Sequence, residues 1–166
     1  MTADNLTLGS SESALNSSDD LRPGEITVEI PSNFDSGLYF IGRIHTPWAK
    51  RSDCPKRGDQ QKGPICRVEI DPPWQPALDG IDPHQQLQIL YWMDQARRDL
   101  VKQSPRSDGL TRGTFSLRSP VRPNPIASST VQLVAREGTE LLVRGLDCLD
   151  GTPLIDVKPV YCDHAQ

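Results

Sequence analysis

Apolar and polar residues alternate with a period of two along much of the chain. The pattern is clear in ICRVEI (65–70), STVQLVAR (129–136), ELLVRGLD (140–147) and PLIDVK (153–158). Such alternation is typical of strands with one face in a core and the other in solvent. LQILYWM (87–93) is apolar enough to form a buried strand. These five segments predict a protein built mainly of short strands.

The flanking segments extend this prediction. LYFIGRI (38–44) predicts a further strand, and ITVEI (26–30) predicts a peripheral one. DQARRDLVK (94–102) is interpreted as a short helical segment that follows the strand at 87–93. AKRSDCPKRGDQQKGP (49–64) is a polar loop, and loops of this length in compact domains are commonly functional or mobile.

The turns between the last strands contain the glycine that hairpins require. EGTE (137–140) and DGTP (150–153) each predict a hairpin. Short, closely spaced strands with little helix predict a mainly all-β fold, either an antiparallel barrel or a sandwich, with one or two short helices. We expect residues 1–24 to form a flexible acidic tail, residues 25–162 the domain, and residues 163–166 a C-terminal tail.

The chain has 166 residues and a net charge of −4, but the two signs of charge are segregated. Residues 37–67 and 97–122 each contain seven bases and two acids, whereas residues 1–36 contain seven acids and one base. The basic blocks are either ordinary solvated surface or an anion-binding face of the kind that a phosphate backbone requires.

Targeting and metal signals are weak. The N-terminus lacks the basic start and apolar core of a signal peptide, and no apolar run reaches the length of a membrane span, so we expect a cytoplasmic protein. The four cysteines form no CxxC pair, which favours reduced, mostly buried thiols over a metal site.

RSPVRPNPI (118–126) contains three prolines within nine residues. Proline lacks a backbone donor and biases the residue before it away from helical geometry, so this segment predicts a rigid loop. Arg118, Arg122 and Asn124 lie along it, which points to an anionic or zwitterionic ligand.

Three carboxylates surround the predicted DGTP hairpin. Asp147 and Asp156 interrupt otherwise apolar strands, and pairing of those strands would bring both to one end of the sheet. Each requires solvent, a ligand or an ion pair, for which Arg144 and Lys158 are available. Asp150 precedes a glycine, so capping its own turn is as plausible as a functional role.

Three motifs carry a resemblance to a known family. FIGRIHTPW (40–48), GTFSLRSPVRPNPI (113–126) and LDCLDGTPLIDVKP (146–159) resemble the TsaA-like family, represented by TrmO. TrmO enzymes use S-adenosylmethionine to N6-methylate threonylcarbamoyl-adenosine beside the tRNA anticodon. The resemblance implies a small closed antiparallel β-barrel, a homodimer, and an S-adenosylmethionine-dependent tRNA methyltransferase that needs no metal.

The resemblance also implies site residues. The expected cofactor-binding residues are Gly58, Asp94, Gln95, Arg118, Ser128, Arg144, Gly145, Leu146 and Asp147. The candidate catalytic residues are Asp147 and Asp150, because a carboxylate could accept the proton that the acceptor nitrogen loses. Arg122, Asn124 and Lys158 are expected in the surrounding loop or on the substrate side.

The chain also departs from the family pattern. Asp94 stands where the family often has a histidine, and Ala127 follows NPI where glycine is usual. The chain resembles a short single-domain form of the family. Two alternatives therefore stay open, a methyltransferase of the same fold acting on a small substrate and a non-catalytic cofactor-binding module.

Overall fold

The computed structural model describes residues 21–106 and 109–160. Most of the predicted acidic tail, Cys162 and the predicted C-terminal tail lie outside the described residues. The nine strands of the described part are β1 (Ile26–Thr27), β2 (Gly42–His45), β3 (Cys66–Ile70), β4 (Gln86–Trp92), β5 (Leu100–Gln103), β6 (Arg112–Gly113), β7 (Ile126–Glu137), β8 (Glu140–Arg144) and β9 (Thr152–Pro159). Two 3₁₀ helices accompany them, Pro72–Leu78 and Thr114–Ser116.

Six strands close into an antiparallel barrel in the order β2-β3-β8-β7-β4-β9. Alternate residues of these strands point inward and form the core. The inward residues that are completely buried are Ile44, Val68, Leu87, Ile89, Val131, Leu133, Leu141, Val143 and Leu154. The closed barrel confirms the predicted fold class and excludes the sandwich.

The EGTE hairpin is confirmed, whereas the DGTP hairpin is wrong. β7 and β8 pair directly, with Glu137 opposite Glu140, and Gly138 adopts the positive φ of 60° that such a turn favours. β8 instead lies between β3 and β7, and β9 between β2 and β4. Residues 145–151 therefore connect two strands that are not neighbours in the barrel.

The helix predicted over 94–102 is also wrong. Residues 94–96 form a turn, and Leu100–Gln103 is strand β5, which pairs with β1 and β6 in a small second sheet. Pairing on both sides satisfies the backbone of β5, so tertiary context overrides the local helical preference. β1 is the predicted peripheral strand, shortened to two residues.

The strand predicted at 38–44 begins only at Gly42, while Leu38, Tyr39 and Phe40 remain exposed. No helix in the described part of the chain is long and apolar enough to cross a membrane. Cys66 and Cys148 are buried free thiols, as predicted, and Cys54 is half-buried.

Candidate functional site

Asp147 lies just after β8, on the segment that crosses from β8 to β9. Its Oδ1 accepts a hydrogen bond from the Tyr91 hydroxyl at 2.8 Å, and the Ser129 hydroxyl lies 3.4 Å from the same oxygen. The Tyr91 and Ser129 hydroxyls are 2.9 Å apart. Asp147 itself is only partly buried, so the cluster connects the barrel interior with the surface.

Tyr91 supplies this cluster from inside the barrel. It lies on β4 in the inward series with Leu87 and Ile89, and its side chain is almost completely buried. Burial, with the adjacent Asp147 charge, raises the pKa of the Tyr91 hydroxyl well above its ordinary value. The hydroxyl therefore stays protonated and remains a donor.

The polar loop 49–64 is fastened across the same end of the barrel. A Cβ on Gly58 would lie 1.8 Å from the carbonyl oxygen of Gly145, so only glycine permits this contact. Gln60 donates to the Thr130 carbonyl at 2.9 Å, and Arg144 donates to the Gly63 carbonyl. The structure thus brings together Gly58, Arg144 and Gly145, three of the residues expected to bind the cofactor.

The proline-rich loop is held by its own arginines. Arg118 donates to the Ser128 carbonyl at 3.1 Å, which joins two predicted site residues. Arg122 donates to the Leu117 carbonyl at 2.5 Å, and its buried Nε has no partner among the described atoms. Arg122 therefore shapes the loop from within.

Asn124 is part of a second brace on this loop. Its Oδ1 accepts from Arg98 at 3.3 Å, and Arg98 also donates to the Pro123 carbonyl. The Arg98 guanidinium lies over the rings of Phe34 and Trp92, at 5.4 and 5.5 Å from their centroids. One arginine thus ties the proline-rich loop to the outer surface of the barrel.

A groove of about 840 Å³ lies along the small sheet, and residues of β5, of the 49–64 loop and of the 117–121 loop line it. Five arginines line it together with one carboxylate, Glu25; they are Arg22, Arg51, Arg97, Arg106 and Arg118. Arg22 pairs with Glu25, and Arg97 with Asp99, which is outside the lining. The lining therefore has a net positive charge, which suits an anionic ligand.

Cys54 lies in the 49–64 loop, two residues after Ser52 of the groove lining. The pKa of its thiol is raised first by burial and then by the negative charge of Asp147, and it is lowered by Arg51 of the groove lining. Ser129, which contacts Asp147, also follows Ser128, whose carbonyl holds Arg118. The acidic cluster and the basic groove are therefore adjacent parts of one site.

Several other predicted residues lie outside the Tyr91–Ser129–Asp147 cluster and the groove lining. Asp156 pairs with Lys158 at 2.6 Å, partly exposed, and Asp150 accepts from the Thr46 backbone N–H at 3.1 Å and lies 3.5 Å from His45. Asp94 and Gln95 are exposed in the turn after β4, two residues before Arg97 of the groove. Leu146 packs in the core.

Sequence reasoning missed Tyr91, Ser129 and Arg51. For Tyr91 a signal existed, because the period of LQILYWM places it on the same face as Leu87 and Ile89, and a buried hydroxyl needs a partner. For Ser129 and Arg51 nothing local distinguished them from other surface residues.

The residues of the site can be tested against S-adenosylmethionine by their chemistry. The cofactor has a sulfonium, an ammonium, a carboxylate and an adenine. The Arg118 guanidinium suits the carboxylate, and the Asp147 carboxylate, whose second oxygen has no partner among the described residues, suits a cation. The donor set therefore fits this cofactor.

Known proteins are similar to this chain over much of its length. Residues 43–165 match the family model of the tRNA-methyltransferase O N-terminal domain. The "Probable S-adenosyl-L-methionine-binding protein VirR" of Rhizobium radiobacter is 50% identical over 139 residues, which cover 84% of this chain and 79% of that protein. The mouse "tRNA (adenine(37)-N6)-methyltransferase" is 44% identical over 62 residues, 37% of this chain and 14% of that protein.

Solved structures of TrmO proteins are also similar to this chain. One titled "Crystal structure of TrmO" has a TM-score of 0.64 and 26% identity, and covers 80% of this chain. TrmO from Pseudomonas aeruginosa has a TM-score of 0.62 and 28% identity, over 80% of this chain. The chain spans 63% and 61% of the length of these two solved chains, slightly under two thirds.

Proposed function

The chain belongs to the tRNA-methyltransferase O N-terminal domain family, and from this premise we propose that it is an S-adenosylmethionine-dependent methyltransferase. Its acceptor is the N6 atom of threonylcarbamoyl-adenosine beside the anticodon of tRNA. The observation that carries this proposal is the arginine-lined groove, whose Arg118 donates to the Ser128 carbonyl, next to Ser129 of the Asp147 cluster. An RNA whose phosphates bind in the groove would have one of its nucleosides beside the Asp147 cluster.

The cofactor supplies an electrophilic methyl group, and this chain's residues position it. Arg118 would bind the carboxylate of its amino acid tail, and the Ser128 carbonyl already holds that guanidinium in place. Methyl transfer is an in-line displacement, so positioning supplies much of the rate enhancement. The 49–64 loop forms the other wall of the proposed site. The close approach of Gly58 to Gly145 and the hydrogen bond from Arg144 hold this loop in place.

The arginines of the groove contact RNA phosphates in this proposal. Phosphate contacts fix the register of an RNA without reading its sequence. Arg51 and Arg106 are exposed at the groove and are the residues best placed for this role. Their contribution should decline steeply with salt, because binding releases counterions.

Asp147 and Asp150 are the two candidates for accepting the proton from the acceptor nitrogen. Asp147 is linked to the groove through Ser129 and the Arg118–Ser128 hydrogen bond, whereas Asp150 accepts from the Thr46 N–H at the start of the loop after β2. Asp147→Asn and Asp150→Asn separate the two roles. The base is the residue whose loss abolishes methyl transfer while cofactor binding persists.

The test is transfer of a radiolabelled methyl group to tRNA. We expect labelling of tRNA that contains threonylcarbamoyl-adenosine and none of tRNA that lacks it. Arg51→Glu with Arg106→Glu should lower tRNA affinity at least tenfold and flatten its salt dependence. Arg67→Glu is the matched control, because Arg67 pairs with Glu140 on β3 and β8, away from the groove. No labelling of modified tRNA with bound cofactor present would exclude this acceptor.

A second candidate is methyl transfer to a smaller acceptor, which Asp94 favours. This exposed carboxylate stands near Arg97 at the groove and would repel RNA phosphates. Labelling of a metabolite extract but not of tRNA would support this candidate.

A further inference from the structure

The Tyr91–Ser129–Asp147 cluster contains a residue that neither the family motifs nor the sequence reasoning assigned. Tyr91 is 3% exposed, yet its hydroxyl contacts two polar side chains at 2.8 and 2.9 Å. A buried phenol needs one partner to be satisfied, and this one has two. Its position suits a residue that fixes the orientation of another group.

The geometry of the hydrogen bonds shows which group is oriented. Tyr91 donates to Oδ1 of Asp147, and Ser129 lies within 3.4 Å of the same oxygen. Both hydroxyls therefore engage one carboxylate oxygen. The second oxygen, Oδ2, has no partner among the described residues and is left for a ligand.

The surroundings of Asp147 suit a positively charged ligand group. A partly buried carboxylate with one free oxygen is stabilised by a cation. Three arginines of the groove engage other acceptors: Arg118 the Ser128 carbonyl, Arg97 Asp99, and Arg22 Glu25. Among the described residues no cation is paired with Asp147, so a cationic group of the ligand can pair with it.

We infer that Tyr91, assisted by Ser129, is a positioning residue that directs Oδ2 of Asp147 toward the sulfonium of the bound cofactor. This inference rests on the proposed function, because it takes S-adenosylmethionine as the ligand. It adds to that function a preference of the site for the substrate form of the cofactor over the product form. S-adenosylhomocysteine, the product, has a neutral thioether in place of the sulfonium and lacks this attraction, so the site releases product more readily than it releases substrate.

The charge argument also predicts which kinetic constant depends on Tyr91. The sulfonium loses its positive charge during transfer, so its attraction to Asp147 is stronger in the ground state than in the transition state. An interaction of this kind lowers KM but also lowers kcat, because it stabilises the bound substrate more than the transition state. Loss of the Tyr91 hydroxyl should therefore raise KM for the cofactor without lowering kcat.

The experiment measures binding of both ligands by calorimetry to the full chain and to Tyr91→Phe. Phenylalanine keeps the buried ring and removes only the hydroxyl. We expect affinity for S-adenosylmethionine to fall about tenfold, the size typical of a hydrogen bond to a charged group, and affinity for S-adenosylhomocysteine to change less than twofold. Tyr39→Phe, an exposed tyrosine at 77% accessibility, is the matched control and should change neither.

Each outcome of this experiment either supports the inference or overturns it. Equal weakening for both ligands, or for neither, overturns the inference and leaves the proposed function standing. Failure of the unmutated chain to bind S-adenosylmethionine overturns the proposed function itself, and the inference with it. Thermal unfolding reports whether Tyr91→Phe is folded. If it is not, Ser129→Ala, which removes the other hydroxyl near Oδ1, is measured for the same ratio of affinities, with an expected fall of two- to fivefold.

Discussion

Arg118 is fixed before any ligand arrives, because its guanidinium donates to the Ser128 carbonyl at 3.1 Å and its backbone leads into three prolines. A side chain ordered in advance loses less conformational entropy on binding. The prolines of the RSPVRPNPI segment would therefore favour ligand binding by ordering Arg118 in advance. Arg122 and Asn124 contribute by bracing the same loop, through Leu117 and Arg98 respectively.

Arg118→Ala should therefore lower affinity for S-adenosylmethionine about a hundredfold while the protein stays folded. The expected loss corresponds to a charge-assisted hydrogen bond to the cofactor carboxylate. Calorimetry measures the affinity and thermal unfolding measures the fold. Arg67→Ala, which breaks only a surface ion pair with Glu140, is the control. Unchanged cofactor affinity in Arg118→Ala would place the site elsewhere.

The cysteines should differ in their reactivity. Burial raises the pKa of Cys66 to about 11 and that of Cys148 to about 12, so neither forms the reactive thiolate near neutral pH. Cys54 is only half-buried and remains reachable. In a Cys162→Ser variant at pH 8, a maleimide reagent should label Cys54 first, as mass spectrometry of the peptides would show. Labelling of Cys66 or Cys148 at the same rate would contradict the described packing.

At the scale of elements, the site depends on one loop docked against one crossing segment. The 49–64 loop lies against the 145–151 segment through Gly58 and Gly145, and Gly145 has a positive φ of 113°. Side chains at either position would meet backbone atoms that belong to other strands or loops. The loop is therefore held by close backbone approach in addition to its hydrogen bonds.

Gly58→Ala should displace this loop. The added Cβ would lie 1.8 Å from the Gly145 carbonyl, so the loop must move away, at a cost of about 2 kcal/mol or more in the free energy of unfolding. Limited proteolysis should show faster cleavage near the basic residues of the loop, and cofactor affinity should fall. Gly37→Ala is the control, because nothing lies within 4 Å of a Cβ there. Equal protease resistance in both variants would argue against loop docking through Gly58.

At the scale of the whole molecule, the barrel leaves several large apolar side chains in solvent. Phe34 is 76% exposed, Tyr39 77% and Phe40 45%, and Tyr39 and Phe40 lie against the rings of Trp74 and Trp92. Contiguous exposed aromatics of this kind mark interaction surfaces. We propose that this surface is the interface of the homodimer that the family resemblance implies.

Light scattering after size exclusion should give about twice the chain mass of 18.4 kDa. Phe40→Asp should shift the equilibrium toward the monomer, because it places a charge among the exposed aromatics. Ile65→Asp, at an exposed apolar residue just before β3, should leave the mass unchanged. A monomeric mass for the unmutated chain at all accessible concentrations would rule the homodimer out.

The sequence by itself determined the strands of the barrel, since a period of two fixes which residues point inward wherever one face must be buried. It also determined the rigidity of residues 118–126, since proline restricts φ whatever surrounds it. The resemblance to the family singled out Gly58, Arg144 and Gly145 as expected cofactor-binding residues, and these three lie together in the structure.

Tertiary structure alone decided which strands are neighbours and which side chains meet. The DGTP turn has the local chemistry of a hairpin, yet β8 and β9 are separated by barrel closure, which joins β9 to β2 and β4. The segment 94–102 has helical propensity, yet β5 pairs with β1 and β6. The contact of Tyr91 with Asp147 spans 56 residues of sequence. Local pattern fixes the face on which a side chain lies, whereas contacts between distant residues follow from the order in which the strands close.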